Sequence, residues 1–552
     1  MSSNNNKQHF KVCFCWSRGF KLRGGEIPED IKQVFESYSV NGIMSIDNLI
    51  SFLEKEQKEV NVTKEAQNIF NSLKHHHNIV HKRGLNLDAF FKYLIGDYNF
   101  AHQSKVHQNM DAPLAHYYIY TGHNSYLTGN QLSSDCSTEP IKKALKKGVR
   151  VIELDLWPNI TKDDIDVRHG GTLTTPVKLS KCLKAIKEVA FSNSEYPVIL
   201  TFEDHLHPYP HLQKKVAQMV KKTFGSMLFI PQSQMDEFPS PNSLKNKILI
   251  STKPPPKSSA ESDNKERDEE QDKEFEEVLK YRDLIAIHAT KHKGGMENFG
   301  RHASFDKVGR LSMNEQALEK ALAVTEHGHQ LIRFTQRHIL RVYPKGARID
   351  SSNYDPLIAW MRGAQMVAFN MQGYCKYLWM MQGFFRANGG CGYVKKPEFL
   401  LSPDGACHEV FNSMALPVKT ILKVKIFMGE GWRVDFHFRH FDYCSPPDFY
   451  ARVGIVGVPT DTSKMCRTRI VDDQWIPIWN EKFEFPIRVP ELALLRIDVK
   501  DYDPSGEDEF AGQTCLPVSE LRTGIRCVPL HKRRGDVYRS VKLLMRFDFM
   551  SP

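Results

Sequence analysis

Two acids one residue apart inside an apolar run open the chemistry of this sequence. RVIELDLW, residues 150–157, puts Glu153 and Asp155 on one side of an extended strand and Ile152 and Leu154 on the other. Two buried carboxylates are costly unless something neutralises them. A divalent cation does so, and so does a salt bridge to a nearby Lys or Arg. Three further runs end in similar groups: HYYIYTG leads into His123 and Asn124, DIDVRHGG into His169, and YPVILTFE into Glu203, with Asp204 and His205 next. If all four are strands of one (β/α)8 barrel, their C-terminal ends meet in one cleft, where that fold carries its chemistry. A cation is then the favoured reading. Asn124, Glu153, Asp155 and Glu203 offer only oxygen, which selects Ca2+ or Mg2+ over zinc. His123 and His169 remain for proton transfer and charge stabilisation. One cation and two imidazoles suit attack on a phosphodiester. The metal activates a hydroxyl and neutralises phosphate oxygens, one His stabilises the crowded phosphorus, and the other protonates the leaving alkoxide.

The elements that must position these groups follow a strand–helix alternation from about His107 to Lys253. TEPIKKALKKG predicts a helix with Thr138 as N-cap and Gly148 as its stop, and PVKLSKCLKAIKEVAF repeats apolar residues at helical spacing. The alternation resumes with LIAIHAT, one helical stretch NEQALEKALAVTEHGHQLIRFTQRHI, then LRVYP, QMVAFN and NGGCGYVKKP. Between the halves, residues 261–277 hold ten acidic and three basic residues after a Pro/Ser-rich run. This predicts a disordered acidic linker within one barrel. From about Leu416, regular short alternating runs without intervening helices predict an antiparallel β-sandwich. Its turns are acidic: Asp442 and Asp448 flank YCSPP, Asn480 and Glu481 follow Trp479, and Asp501, Asp503, Asp508 and Glu509 lie in DYDPSGEDEF. Acid-rich turns are often only solvated. The first hundred residues read as helical.

With 552 residues, 41% hydrophobic and 25% charged, the chain has the composition of a globular protein of three to four domains. No run approaches the ~18 apolar residues of a spanning helix. The start lacks the long apolar core and small-residue cleavage site of a secretory signal, so a cytosolic protein is expected. The 11 Cys contain no CxxC pair, which predicts reduced thiols rather than a zinc site or disulfide framework. The net charge of +10 suits an anionic membrane or a phosphorylated ligand. No nucleic acid partner is expected.

YTGHNSYLTGNQLSSDCSTEPIKKALKKGVRVIELDLW resembles the X-box of eukaryotic phosphoinositide-specific phospholipase C, and DSSNYDPLIAWMRGAQMVAFN and NGGCGYVKKPEFL its Y-box. The resemblance is to the plant-type arrangement. It implies an EF-hand-like helical region (1–106), an X half (107–253) and a Y half (281–405) of a TIM-like barrel split by the linker (254–280), and a C2 β-sandwich (416–548). Aligning Gly42 with the sixth position of an EF-hand loop puts Ser37, Ser39, Asn41 and Asn48 at the ligand positions, with no carboxylate among them, so no calcium is expected there. The implied reaction is calcium-dependent hydrolysis of phosphatidylinositol 4,5-bisphosphate to diacylglycerol and inositol trisphosphate through a cyclic phosphodiester. By motif position His123 stabilises the phosphorus, His169 is the general acid, Glu153 is a candidate base, and Asn124, Glu153, Asp155 and Glu203 hold Ca2+. Lys253, Ser312, Arg341 and Tyr343 match headgroup positions, with Ser251 where many animal members have another Lys. Read without the family, Arg341 and Tyr343 are equally ordinary barrel packing. Asp442, Asp448, Asn480, Asp501, Asp503 and Asp508 match C2 calcium loops, with Glu509 where a third Asp is usual. Leu132 and Leu173 are rim candidates for lipid contact, and Ala347 stands where some animal members have Trp. The implied location is the cytoplasm, peripheral on the inner face of the plasma membrane, with anionic lipids as partners. The competing reading is a catalytically silent phosphoinositide-binding scaffold; another barrel phosphodiesterase fits the Y-box and sandwich poorly.

Overall fold

The computed structural model describes residues 7–13, 16–21, 26–74, 80–81, 84–255, 281–290, 307–402, 416–437, 440–441, 445–504 and 506–552. The acidic stretch 261–277 and Asp442 lie outside these residues. The chain forms two units, Ser104–Ser413 on one hand and Met1–Gln103 with Met414–Pro552 on the other.

Eight parallel strands close a barrel in the first of these: β1 (Thr121–Gly122), β2 (Val151–Pro158), β3 (Val198–Asp204), β4 (Ile248–Thr252), β5 (Ile285–Thr290), β6 (Arg310–Asn314), β7 (Ile339–Tyr343) and β8 (Met366–Phe369). Each pairs with the next, and β8 returns to β1, as sequential crossovers through surface helices require. The apolar stripe of each helix covers the sheet; in Thr138–Lys146 the buried residues are Ile141, Ala144 and Leu145. The cap of this helix is Ser137, whose side chain accepts from the Glu139 amide, one residue before the expected Thr138. Gly148 follows its end at φ +93°, a conformation that glycine adopts without strain.

Three expected barrel elements differ. Ile165–Val167 of DIDVRHGG pairs antiparallel with β2 as a hairpin excursion, because only a short turn separates them. Tyr117–Ile119 of HYYIYTG pairs antiparallel with Tyr393–Lys395 of NGGCGYVKKP outside the barrel, so only Thr121–Gly122 of that run enters it. The stretch 314–339 is two helices, Glu315–Leu322 and Thr325–Arg337, parted at Val324, whose backbone is extended.

In the other unit eight antiparallel strands, β9 (Thr420–Glu430), β10 (Phe449–Val456), β11 (Cys466–Arg467), β12 (Ile478–Ile487), β13 (Leu494–Asp501), β14 (Glu509–Pro517), β15 (Gly524–His531) and β16 (Val537–Met550), run in the order β11-β10-β13-β14-β15-β16-β9-β12. A single residue pair, Gln513 with His531, joins β14 to β15, so the sheet folds into two four-stranded halves. Alternate residues face the core between them: Leu543, Met545 and Phe547 of β16 meet Ala451, Val453 and Ile455 of β10. The intervening Leu544 faces outward, into a second core shared with α1 (Glu29–Ser37), α2 (Ile46–Lys55), α3 (Thr63–Lys74) and α4 (Leu87–Leu94). Gln57 accepts from the Ile525 amide and donates to the Ile525 carbonyl, which holds the helical module to β15. The turn between α1 and α2 closes through a Val40–Ile43 bridge; the Ser37 hydroxyl donates to Val34 O, and Asn48 sits inside α2, capped by Ser45.

Candidate active site

The ends of β1, β2, β3 and β7 frame a cleft of about 370 Å³. His123, Asn124, Asp155, His169, Glu203 and Tyr343 line it, together with Gln131, Trp157, His205, Lys345, Arg348 and Asn370. His169 reaches this cleft from the loop after the hairpin excursion rather than from a barrel strand. Parallel pairing sets Glu203 beside Asp155 on adjacent strands.

His123 follows β1, and its amide donates to Phe369 O of β8 at 2.7 Å. Its ring is tied at Nδ1 to Asn370 Oδ1 (2.9 Å), stands 4.0 Å through Nε2 from Glu153 Oε2, and lies parallel to Tyr343. Burial pushes the imidazole below its usual range, against the nearby Glu153 charge. His169 Nδ1 bonds to the backbone carbonyl of Gln131 at 2.8 Å. Asn124 has φ +43°, the left-handed region that Asn tolerates better than most residues. Its amide donates to Glu153 Oε2 (3.3 Å) and its side-chain Nδ2 to Gln131 Oε1 (3.2 Å).

Glu153 and Asp155, on one strand face, have opposite electrostatics. Burial opposes ionisation of Glu153, but a salt bridge to the Arg341 guanidinium and the proximity of His123 outweigh it, and the carboxyl titrates below its usual range. Asp155 is pushed well above its usual range by burial, with Glu203 and Glu153 adding like charge. Its Oδ1 is buried without a well-formed hydrogen bond, with the Tyr126 hydroxyl close enough to act on the carboxylate. Of the two ways of neutralising the strand, an arginine serves Glu153, and no salt bridge among the described residues serves Asp155. Among the described residues no three His, Cys, Asp or Glu side chains close on one point. The donor chemistry nevertheless fits a hard cation: a buried carboxylate oxygen without a well-formed hydrogen bond, an adjacent carboxylate on Glu203, and the Asn124 amide.

The headgroup residues expected from the sequence are not all brought to the cleft. Tyr343 lines it. Arg341, two residues earlier on the same strand face, sits deeper; it is 2% exposed and engaged with Glu153. Ser312 is its register partner on β6, with a buried hydroxyl that has no partner among the described residues. Lys253 lies beyond the end of β4, outside the lining, and Ser251 is buried with its hydroxyl donating to Ile287 O. The lining cations are instead Lys345 and Arg348. Arg348 makes a bidentate pair with buried Glu315 (2.6 and 2.7 Å), which also accepts from the Lys345 amide (2.8 Å). The KG of YPKGAR, a Lys beside Gly just past a barrel strand, is the signal that could have drawn notice to Lys345. Gln131 and Asn370 carry no charge, and nothing in their local sequence marks them.

Exposed Leu132, Leu173 and Ile349 rim the cleft, joined by bonds from Leu173 N to Leu132 O and from Gln131 N to Ile349 O. In the sandwich, the Asp448 amide donates to Asp501 Oδ1 (2.5 Å), the Asp473 amide to Asp448 Oδ1 (2.6 Å), and the Asp503 amide to Asp508 Oδ1 (3.3 Å). Asp448, Asp501, Asp503 and Asp508 therefore share one end, with Asp473 added. Asn480 does not join them: it faces α1 and donates to Asp30 Oδ1 at 3.0 Å.

Family models match four consecutive segments: "Phosphoinositide-specific phospholipase C, efhand-like" at 27–99, "Phosphatidylinositol-specific phospholipase C, X domain" at 110–254, the corresponding Y domain at 284–399, and "C2 domain" at 420–531. The sequence is 54% identical to Phosphoinositide phospholipase C 2 of Arabidopsis thaliana, over 99% of this chain and 100% of that one. The chain belongs to the phosphoinositide phospholipase C family. It is 31% identical to the human 1-phosphatidylinositol 4,5-bisphosphate phosphodiesterase delta-1, over 94% of this chain and 72% of that protein. The crystal structure of S. officinalis PLC21 is similar with a TM-score of 0.74 at 26% identity, covering 95% of this chain and 69% of that one. The phospholipase C is thus a phosphoinositide-hydrolysing enzyme with X and Y catalytic domains, a C2 domain and an EF-hand-like module. Among its described residues no helix is long and apolar enough to cross a membrane.

Proposed function

We propose that this phospholipase C cleaves phosphatidylinositol 4,5-bisphosphate to diacylglycerol and inositol 1,4,5-trisphosphate at the cytoplasmic face of the plasma membrane, with Ca2+. The observation that carries the reading is that His123 and His169, each tied through Nδ1, share one cleft with Asn124, Asp155 and Glu203. Asn124, Glu153, Asp155 and Glu203 would hold Ca2+, whose charge lowers the pKa of the inositol 2-hydroxyl and neutralises phosphate oxygens. Glu153, kept ionised by Arg341, is the candidate base for that hydroxyl. The 2-oxygen attacks the 1-phosphate, and His123 offsets the charge gathering on the phosphoryl oxygens. The bond to the glycerol oxygen breaks, and His169 gives that oxygen a proton from Nε2. In the second step His169 takes a proton from water, whose oxygen attacks the phosphorus; the bond to the inositol 2-oxygen breaks, and Glu153 returns a proton to that oxygen.

Tyr343 and Lys345 face the bound headgroup, with Lys253 near its outer edge. Leu132, Leu173 and Ile349 lie against lipid. Asp448, Asp501, Asp503 and Asp508 would hold further Ca2+ between the C2 loops and anionic headgroups. The test is hydrolysis of phosphatidylinositol, its 4-phosphate and its 4,5-bisphosphate in vesicles across a calcium titration. The bisphosphate is expected to be cut fastest, with all activity lost in chelator. His123→Ala and His169→Ala should each lower turnover by about 10²–10⁴-fold while vesicle binding persists. Calcium-independent cleavage, or near-normal turnover in either variant, overturns the reading.

A further inference from the structure

We propose that Gln131 is a positioning residue that determines which atom His123, His169 and Asn124 each turn toward the cleft. The inference rests on the reading of this cleft as the phospholipase site. Gln131 is buried, 5% exposed, in the loop after β1, and its side-chain polar atoms and backbone carbonyl lead to these groups or to its anchor, while its amide donates to Ile349 O. The anchor is a backbone carbonyl. The Ser351 hydroxyl donates to Gly129 O at 2.8 Å, and Ser351 Oγ accepts from Gln131 Nε2, also at 2.8 Å, and from Gln372 Nε2 at 3.1 Å; Gln372 Nε2 reaches Gly129 O as well, at 3.2 Å. A carbonyl can only accept, so this bond sets the direction of every bond after it. With its nitrogen toward Ser351, Gln131 gives its second N–H to Asn370 Oδ1 at 3.1 Å. Asn370 in turn donates Nδ2 to Ser352 O at 3.2 Å, so its oxygen is left facing His123. His123 must then carry its neutral-form proton on Nδ1, the atom 2.9 Å from Asn370 Oδ1.

The other end of the same amide acts on Asn124. Gln131 Oε1 accepts from Asn124 Nδ2, which leaves Asn124 Oδ1 as the atom available to the carboxylate side of the cleft. The Gln131 backbone carbonyl accepts from His169 Nδ1 and so places that proton as well. Both imidazoles therefore present Nε2 to the reacting phosphate. Each bears a proton there only as the cation, and can regain one there after giving it up. A glutamine is suited to this work because it supplies two donors and one acceptor, fixed relative to each other in one plane.

The decisive variant is Gln131→Glu, which puts oxygens where the two N–H groups were. Asn370 should then rotate to offer Nδ2, and the neutral His123 should move its proton to Nε2. The experiment is nitrogen NMR of full-length protein with 15N-labelled histidine, read without substrate or calcium, with His123 and His169 signals assigned from their alanine variants. Expected are Nδ1–H forms for both histidines in the wild type. In Gln131→Glu, His123 should switch to Nε2–H while His169, which reads a backbone carbonyl, stays. In steady-state assays kcat should fall about 10²-fold with KM little changed. The double variant Gln131→Met/Asn370→Asp keeps an oxygen facing His123, and should retain the Nδ1–H form and recover part of the kcat lost in Gln131→Met. A wild-type His123 protonated on Nε2 overturns the proposal whatever the variants do. So does a folded Gln131→Glu enzyme with an unchanged tautomer, or one altered in KM alone. Because the tautomers are read without substrate, an enzyme inactive on every phosphoinositide fails the functional reading rather than this one.

Discussion

Arg341 and Lys345 lie four residues apart, yet the fold gives them separate tasks. Arg341 neutralises Glu153 inside the barrel; Lys345 lines the cleft on a turn pinned by Glu315. A charge-assisted bond to a phosphate is worth roughly 1.5–3 kcal/mol, or about 10–100-fold. Lys345→Ala should therefore lower kcat/KM on the bisphosphate by that factor, with little change on unphosphorylated phosphatidylinositol. Arg341→Ala strands a buried carboxylate and should depress all three substrates together, along with the melting temperature. A uniform effect of Lys345→Ala across the lipids would remove it from headgroup recognition. Asp155 makes a further demand. Its carboxyl is pushed up by burial and by Glu203 and Glu153, so in metal-free protein it holds a proton above the usual carboxylate range. Cation binding must expel that proton, and calcium affinity should rise with pH. Calorimetry in two buffers of different ionisation enthalpy should detect the released proton in wild type and lose it in Asp155→Asn; equal release from both would acquit Asp155. Of the cleft, His123, Asn124, Asp155, His169 and Glu203 were legible because polar and ionisable groups ended apolar runs, and Tyr343 only through the family resemblance. Gln131 and Asn370 were not, since their meeting depends on β8 returning beside β1.

Among the elements, most of the barrel strands and the sandwich were legible from periodicity, β6 (Arg310–Asn314) was not, and the partners were less so. YYI reads the same in a barrel wall as in the antiparallel pair it makes with Tyr393–Lys395, because both sites are buried on every side. The turn from the helix Thr325–Arg337 into β7 holds another consequence of burial. His338 stacks on Phe334 and is buried there, and burial, with the Arg337 charge adding to it, lowers its pKa from 6.5 to about 4. The folded protein keeps this imidazole neutral while the unfolded chain protonates it near 6.5. Stability from this group is therefore whole above that pH and is lost as pH falls toward about 4. Thermal unfolding midpoints recorded from pH 7.5 to pH 4 should fall less steeply in His338→Gln than in wild type. Parallel curves would show that other groups govern the acid limb.

For the whole molecule, the proposed function requires calcium at two separate sets of acids. Asp501→Asn with Asp503→Asn should weaken calcium-driven binding to anionic vesicles yet spare hydrolysis of detergent-dispersed substrate, and an unchanged calcium midpoint for vesicle binding would mark those loops as solvated turns. The union of the helical module with the sandwich bears on how the protein is made. Phe427, Met428, Ile525 and Leu544 complete the apolar core of helices that end at Leu94, and Gln57 finds its partner Ile525 468 residues downstream. At translation rates of 5–20 residues per second, the emerging helices wait on the order of 20–90 s for the strands that cover them. Through that interval their exposed face is a substrate for chaperones, and a message truncated before β15 would leave it uncovered for good.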